Sequence, residues 1–269
     1  MRQRLLGLPG LLGACVGVCL GSLLLAACGN PFHHDDASDR RTPPALGACR
    51  DLSAADLTEP SNADAVVPCT RDHTAQTFAI GTLPASTGTS WTDRRHGTWI
   101  YTTCTRAFQA FVGADDSLAM RSQLSWAWFR PSQRGWDRGA RWYRCDVVGG
   151  PPETKHLRDL PTDAKGLLLG APPDAWMTCA LGPAVAGSTK VPCTETHTWR
   201  AVTTVKVGLP TDPYPGDRIV EVRSRDYCQE SVGGWMHYPP AYDYGFTWFK
   251  EDRWSIGNRR SICWAKTTA

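Results

Sequence analysis

From Leu5 to Ala27 the chain is apolar almost without a break, and no Asp, Glu, Lys or Arg lies between Arg4 and Asp35. After that leader the hydrophobic pattern becomes short and periodic. His73 to Ile80 and His197 to Val207 have strand character; in the second, Trp199, Ala201, Thr203, Val205 and Val207 recur with period two, which predicts one face of a strand. Cys104, Phe108, Phe111 and Val112 recur at helical spacing and predict a short helix docked by its cysteine end. Around Cys228 the equivalent helix is expected to be shorter, because Gly233-Gly234 follows within a turn and a half. Leu124 to Phe129 and Tyr244 to Phe249 read as strands, each followed by a turn towards Trp136 or Trp254 and a last strand carrying Cys145 or Cys263. The pattern predicts an α+β fold of two tandem units, each a small antiparallel sheet with one short helix.

The duplication is legible in the residues. Val67-Pro68-Cys69-Thr70-x-x-His73-Thr74 returns as Val191-Pro192-Cys193-Thr194-x-x-His197-Thr198, and the same interval then leads to Cys104 and to Cys228. A second string, Trp-x-x-Gly-x-Arg-x-x-x-Cys, closes both halves: Trp136, Gly139, Arg141 and Cys145, then Trp254, Gly257, Arg259 and Cys263. A repeat this long matches a small domain rather than a solenoid unit. The expected organisation is a leader at 1–27, a flexible tether at 28–47, repeat 1 at 48–148, a connector at 149–170 and repeat 2 at 171–269. The connector's Leu157, Leu160 and Leu167-Leu168-Leu169 are too apolar for a free linker and are expected to pack on one repeat.

Arg2 and Arg4 followed by the apolar run make an export signal. Kept uncleaved, the run is long enough to span a bilayer. Leu25-Ala26-Ala27-Cys28, however, resembles the lipobox of bacterial lipoproteins. That resemblance implies cleavage before Cys28, lipidation of its sulfur with acyl chains of the palmitate kind, and attachment to the outer face of the cytoplasmic membrane. Loss of Arg2 and Arg4 brings the formal net charge from +3 close to neutrality. With no long basic run, nucleic acid is not an expected partner.

Eight cysteines remain after Cys15, Cys19 and Cys28, four in each repeat, and export places them where disulfides form. Equivalent pairing within both repeats leaves three schemes. The sequential one is preferred: Cys49 with Cys69, Cys104 with Cys145, Cys179 with Cys193, and Cys228 with Cys263.

Candidate chemistry centres on His73 and His197. A Cys-x-x-x-His spacing can put sulfur and imidazole on one zinc ion, but a structural zinc needs four ligands and no other cysteines are closely paired. A disulfide beside a hydrogen-bonded histidine is the expected reading, with no metal, no cofactor and no catalytic residue. Arg141 and Arg259 are expected to tie down a loop through carbonyls or a carboxylate. The 12 tryptophans divide equally between the repeats; Trp126 and Trp128, two apart on a strand, share a face that is either core or an aromatic platform. His-Glu-x-x-His, Gly-x-Ser-x-Gly and Gly-rich phosphate loops are missing from the chain.

The Val-Pro-Cys-Thr-x-x-His strings, Ala110-Phe111-Val112-Gly113 after Cys104, and the Trp-x-x-Gly-x-Arg-x-x-x-Cys strings together resemble the septum-formation domain family of exported and membrane-anchored actinobacterial proteins. The resemblance implies a link to septum formation or the envelope. In that family an acidic residue often stands three positions after the motif histidine; here Gln76 and Arg200 stand there, so no His/acid pair is carried over. The expected function is a non-enzymatic, lipid-anchored binding or scaffold module whose partners are cell wall or envelope proteins. The alternatives are an extracytoplasmic metal-dependent hydrolase using His73 or His197, and a cell-wall carbohydrate-binding module.

Overall fold

In a computed structural model, residues 36–152 and 154–267 are described. The leader, the lipidation position Cys28 and the start of the tether lie outside the described residues.

Repeat 1 opens with β1 (Cys49–Arg50) and β2 (Ala75–Thr82), continues through α1 (Arg95–Val112) and α2 (Asp116–Met120), and closes with β3 (Leu124–Phe129), α3 (Gln133–Asp137) and β4 (Trp142–Gly149). Repeat 2 runs through β5 (Thr178–Leu181), β6 (Thr189–Pro192), β7 (Trp199–Lys206), α4 (Asp217–Trp235), β8 (Tyr244–Thr247), α5 (Glu251–Ile256) and β9 (Arg260–Lys266). The sheets are ordered β1-β2-β4-β3 and β6-β5-β7-β9-β8, with antiparallel pairing throughout. They are the same sheet twice. The extra strand β6 corresponds in repeat 1 to a single bridge between Cys49 and Val67.

Helix α1 forms because His96, Ile100, Cys104, Phe108 and Val112 stack at four-residue intervals on one buried stripe, and Gly113 ends it at φ 76° in the left-handed region. It is a long helix with Cys104 at its centre, rather than a short one docked by its end. Helix α4 buries Val220, Ser224, Cys228 and Val232 at the same spacing. It does not stop early as expected. Gly233 continues the helix despite its low propensity and leaves room for the Tyr242 hydroxyl, which donates to Gln229 O at 2.9 Å; a Cβ at Gly233 would come 2.6 Å from that hydroxyl. The segments leading to Trp136 and Trp254 are short helices, α3 and α5, rather than turns.

Each repeat carries a β-bulge at the same place, between Thr77 and Ala79 and between Ala201 and Thr203. The bulge breaks the expected period-two face of β7. Trp199 and Ala201 pack with Ala180, Val185 and Trp264, whereas Val202, Val205 and Val207 join the cluster around Val220 and Cys228.

Two further segments differ from or add to the expected organisation. The tether is held around Ser38: Ser38 and Asp39 are buried, Ser38 O accepts from Ser132 N at 3.0 Å, and Trp142 Nε1 donates to Arg40 O at 2.8 Å, while residues 40–47 stay largely exposed. The connector lies on repeat 1, where Leu160, Ala164 and Leu168 join the core beneath α1. The repeats are tied to each other by a Ser122–Met177 bridge, by Gln123 Nε2 donating to Val191 O at 2.9 Å, and by an Arg260–Asp116 ion pair at 3.3 Å. No helix among the described residues is long and apolar enough to cross a membrane.

Candidate functional site

The motif residues take equivalent places in both repeats. The structure pairs Cys49 with Cys69 and Cys179 with Cys193, joining the first strand of each sheet to the loop that carries the motif; Cα separations are 5.3 and 4.9 Å. It pairs Cys104 with Cys145 and Cys228 with Cys263, which fastens the long helix to the central strand. Neither motif cysteine is therefore a free thiolate. His73 Nδ1 lies 2.8 Å from Arg71 O and His197 Nδ1 2.7 Å from Glu195 O, so each ring donates from Nδ1 to a carbonyl two residues back and pins its own turn. Both rings are buried, and His73 Nε2 has no hydrogen-bond partner among the described residues. No group of three His, Cys, Asp or Glu side chains able to hold a metal occurs among the described residues.

Gln76 and Arg200, where the family often has an acid, are engaged in packing. Gln76 Oε1 accepts from Ala164 N at 2.9 Å and so holds the connector, while Arg200 pairs with Asp174. That hydrogen bond from Arg200 keeps the Asp174 carboxyl below its ordinary range.

Arg141 and Arg259 lie 3.9 Å over the rings of Trp136 and Trp254. Their Nη1 atoms donate to Trp136 O at 2.7 Å and Trp254 O at 2.6 Å, and to the carbonyls of Ala140 and Asn258. Gly139 and Gly257 supply the reversal that folds the arginine back, at φ 94° and 120°. The indoles are fixed in turn: Trp136 Nε1 donates to Thr89 O and Trp254 Nε1 to Asp212 O, both at 3.1 Å.

The sheet face away from the helix is where the copies diverge. In repeat 1, Arg50, Thr77, Arg144 and Asp146 form a buried polar cluster at positions that hold Ala180, Ala201, Ile262 and Trp264 in repeat 2. Arg50 Nη1 donates to Thr77 Oγ1 at 2.9 Å, Thr77 donates to Asp146 at 2.7 Å, and Arg144 pairs with Asp146 at 3.0 Å and donates to Asn62 at 2.7 Å. Burial pushes both guanidinium groups below their ordinary value, and the Asp146 charge opposes that. The cluster is closed to solvent, so it organises the core rather than a ligand. Its sequence signal was Arg144-Cys145-Asp146, two opposite charges flanking a buried cysteine on a strand.

The tryptophans are mostly core. Trp136, Trp142, Trp199, Trp254 and Trp264 are buried, and Trp126 and Trp128 lie half-buried against the α1 side of the sheet. Trp235 is exposed on α4, near Tyr227 and Tyr238 in sequence.

A groove of about 590 Å³ runs along the edge of β8. Val185 and Trp199 line it on one face of the sheet, Tyr244 and Phe246 lie along the strand itself with Trp248 just beyond its end, and Glu221 and Arg225 project from α4. A second concavity of about 460 Å³ at the repeat junction holds Asp115, Arg121 and Arg200. There Asp115 caps α2 through Leu118 N, and Arg200 is paired with Asp174.

Together these features define a class: a duplicated, disulfide-stapled α+β unit in which the repeated motif holds the fold. The septum-formation family model matches residues 34–129 and again 119–263, and the chain belongs to that family. No curated protein and no solved structure matches the chain. Membership links the chain to septum formation, and four disulfides mark an extracytoplasmic protein.

Proposed function

We propose that this is a non-enzymatic, lipid-anchored envelope protein whose paired repeats act as a binding or scaffold module in septum formation. The observation that carries the reading is the division of labour on the chain. The repeated polar residues, His73, Arg141, His197 and Arg259, direct their hydrogen bonds into backbone carbonyls, while residues of repeat 2 build an aromatic-lined groove away from all four. A site for chemistry copied in both repeats would keep its polar groups turned towards a cavity. Anchoring rests on Leu25-Ala26-Ala27-Cys28 at the end of the apolar leader. Several acyl chains on Cys28 would give stable membrane attachment, which a single chain does not.

The test is cross-linking in intact cells followed by purification of the mature chain. A stoichiometric envelope partner is expected; a chain without one, turning over a wall or peptide substrate instead, would overturn the reading. Cys28→Ala, or globomycin treatment, is expected to change electrophoretic mobility and release the protein from the membrane fraction. Unchanged mobility and partitioning would remove the lipid anchor.

A second reading, carbohydrate binding, draws on the exposed rings of Tyr227, Trp235 and Tyr238. It predicts co-sedimentation with purified cell wall that is lost in Trp235→Ala.

A further inference from the structure

We infer that the open edge of β8 is a docking site for an extended segment of a partner protein, taken up as an added strand with a basic side chain facing Glu221. This rests on the binding-module reading and says where and how the module binds.

The strand register sets out the edge. Lys266 N donates to Asp243 O at 3.2 Å, which makes Asp243–Lys266 a hydrogen-bonded pair. Alternation then places Gly245–Trp264 and Thr247–Ile262 as bonded pairs, and Tyr244–Ala265 and Phe246–Cys263 as non-bonded ones. The N–H and C=O groups of Tyr244 and Phe246 therefore point away from β9, and β8 pairs with no other strand among the described residues.

Edge strands are ordinarily guarded by proline, lysine, a bulge or a covering segment. The opposite edge of this sheet, β6, has Lys190 and Pro192 and is covered at Val191 O by Gln123. In repeat 1 the equivalent of β8, β3, is tied at its start to repeat 2 through the Ser122–Met177 bridge. Strand β8 reads Tyr-Gly-Phe-Thr and has no such guard. Walls rise on both of its faces. Val185 and Trp199 offer an apolar surface on one side, and on the other Glu221 and Arg225 stand one helical turn apart on α4. Alternate side chains of an added strand would meet these two walls in turn.

Charge selects the occupant. Arg225 makes its close ion pair with Asp226, at 2.8 Å; the Glu221 carboxylate feels the Arg225 charge but has no hydrogen bond or ion pair within 4 Å among the described residues. An apolar side chain towards Val185 and a Lys or Arg towards Glu221 complement the groove. A second copy of the chain fits less well. Two-fold pairing of a four-residue strand buries too little for a stable dimer.

The experiment uses the mature, disulfide-intact chain and two pools of capped hexapeptides with alternating Val, Ile, Tyr or Thr, one pool with Lys and the other with Glu at a fixed central position. The Lys pool is expected to slow amide exchange of Tyr244 and Phe246 at least about tenfold and to bind about fivefold more tightly than the Glu pool, the size of one partly exposed ion pair. Glu221→Gln is expected to erase that preference while leaving the fold intact, and Phe246→Pro to abolish binding by removing an outward N–H. Because Phe246→Pro also removes packing, the Glu221→Gln arm decides. Unprotected Tyr244 and Phe246 with both pools, a lysine preference that survives Glu221→Gln, or protection of this edge by self-association alone would overturn the inference. Cellular cross-links on other faces with a silent β8 edge would overturn it and leave the binding-module reading standing. Absence of any partner would remove that reading itself.

Discussion

The guanidinium of Arg141 lies 3.9 Å from the centre of the Trp136 ring and donates from Nη1 to the Trp136 carbonyl at 2.7 Å, so one side chain grips its partner by both ring and backbone. Arg259 and Trp254 repeat the contact at 3.9 and 2.6 Å. A cation–π contact contributes about 0.5–2 kcal/mol and a charged hydrogen bond about 1.5–3 kcal/mol. Arg141→Ala or Arg259→Ala is expected to destabilise the chain by about 2–4 kcal/mol in chemical denaturation. Lysine should restore little, because it cannot stack and fork at once. Full rescue by lysine would show that only the charge counts.

The two motif glycines should respond unequally to substitution. Gly139 has open space around a built Cβ, whereas at Gly257 that atom would lie 2.8 Å from Tyr101 of repeat 1. Both have positive φ, so alanine costs about 1–2 kcal/mol at each. Gly257→Ala should lose about 1–3 kcal/mol more, because the Tyr101 ring is pressed from its place. Equal losses in thermal unfolding would mean that Tyr101 does not rest on this turn.

Asp146 is a fully buried counter-ion in repeat 1, between Arg144 and, through Thr77, Arg50. Asp146→Asn leaves buried cations without it and is expected to cost about 3–5 kcal/mol. Replacing Arg50, Arg144 and Asp146 together with leucine, methionine and leucine should cost less than that single change, as repeat 2 already holds alanine, isoleucine and tryptophan there. Urea unfolding of the single and triple variants decides the order.

Much of the fold could be read before any coordinates. The paired strings mark equivalent stations, and the strand at Leu124–Phe129 follows its apolar residues to the end. Gly233-Gly234 reads as a stop for α4, whereas the Tyr242 hydroxyl, from the loop that follows the helix, packs on Gly233 and donates to Gln229 O. The bulge in β7 was invisible for a similar reason: its alternation is broken by pairing with β9, not by its own residues. The edge groove needs α4 and β8 brought together, and no spacing along the chain encodes that contact.

Acid should release one local constraint at the start of α1. Two hydrogen bonds from Arg95 to Asp93, at 3.0 and 2.8 Å, hold the Asp93 carboxyl at about 2. A carboxyl depressed in the folded state contributes stability above the ordinary range near 3.8, and that contribution is lost as pH falls from there through about 2. A carboxyl-detected NMR titration is expected to place the Asp93 midpoint near 2, and Arg95→Ala should return it towards 3.8. An unmoved midpoint would remove Arg95 as the cause.

The central claim is that one disulfide-stapled unit is written twice and that its repeated residues hold each copy together. Proteolysis of the unreduced mature chain followed by mass spectrometry tests it most directly. The expected result is four linked peptide pairs, Cys49–Cys69, Cys104–Cys145, Cys179–Cys193 and Cys228–Cys263, each within its own repeat. A bond between repeats, such as Cys69 with Cys193, or a free thiol among the eight, would contradict it.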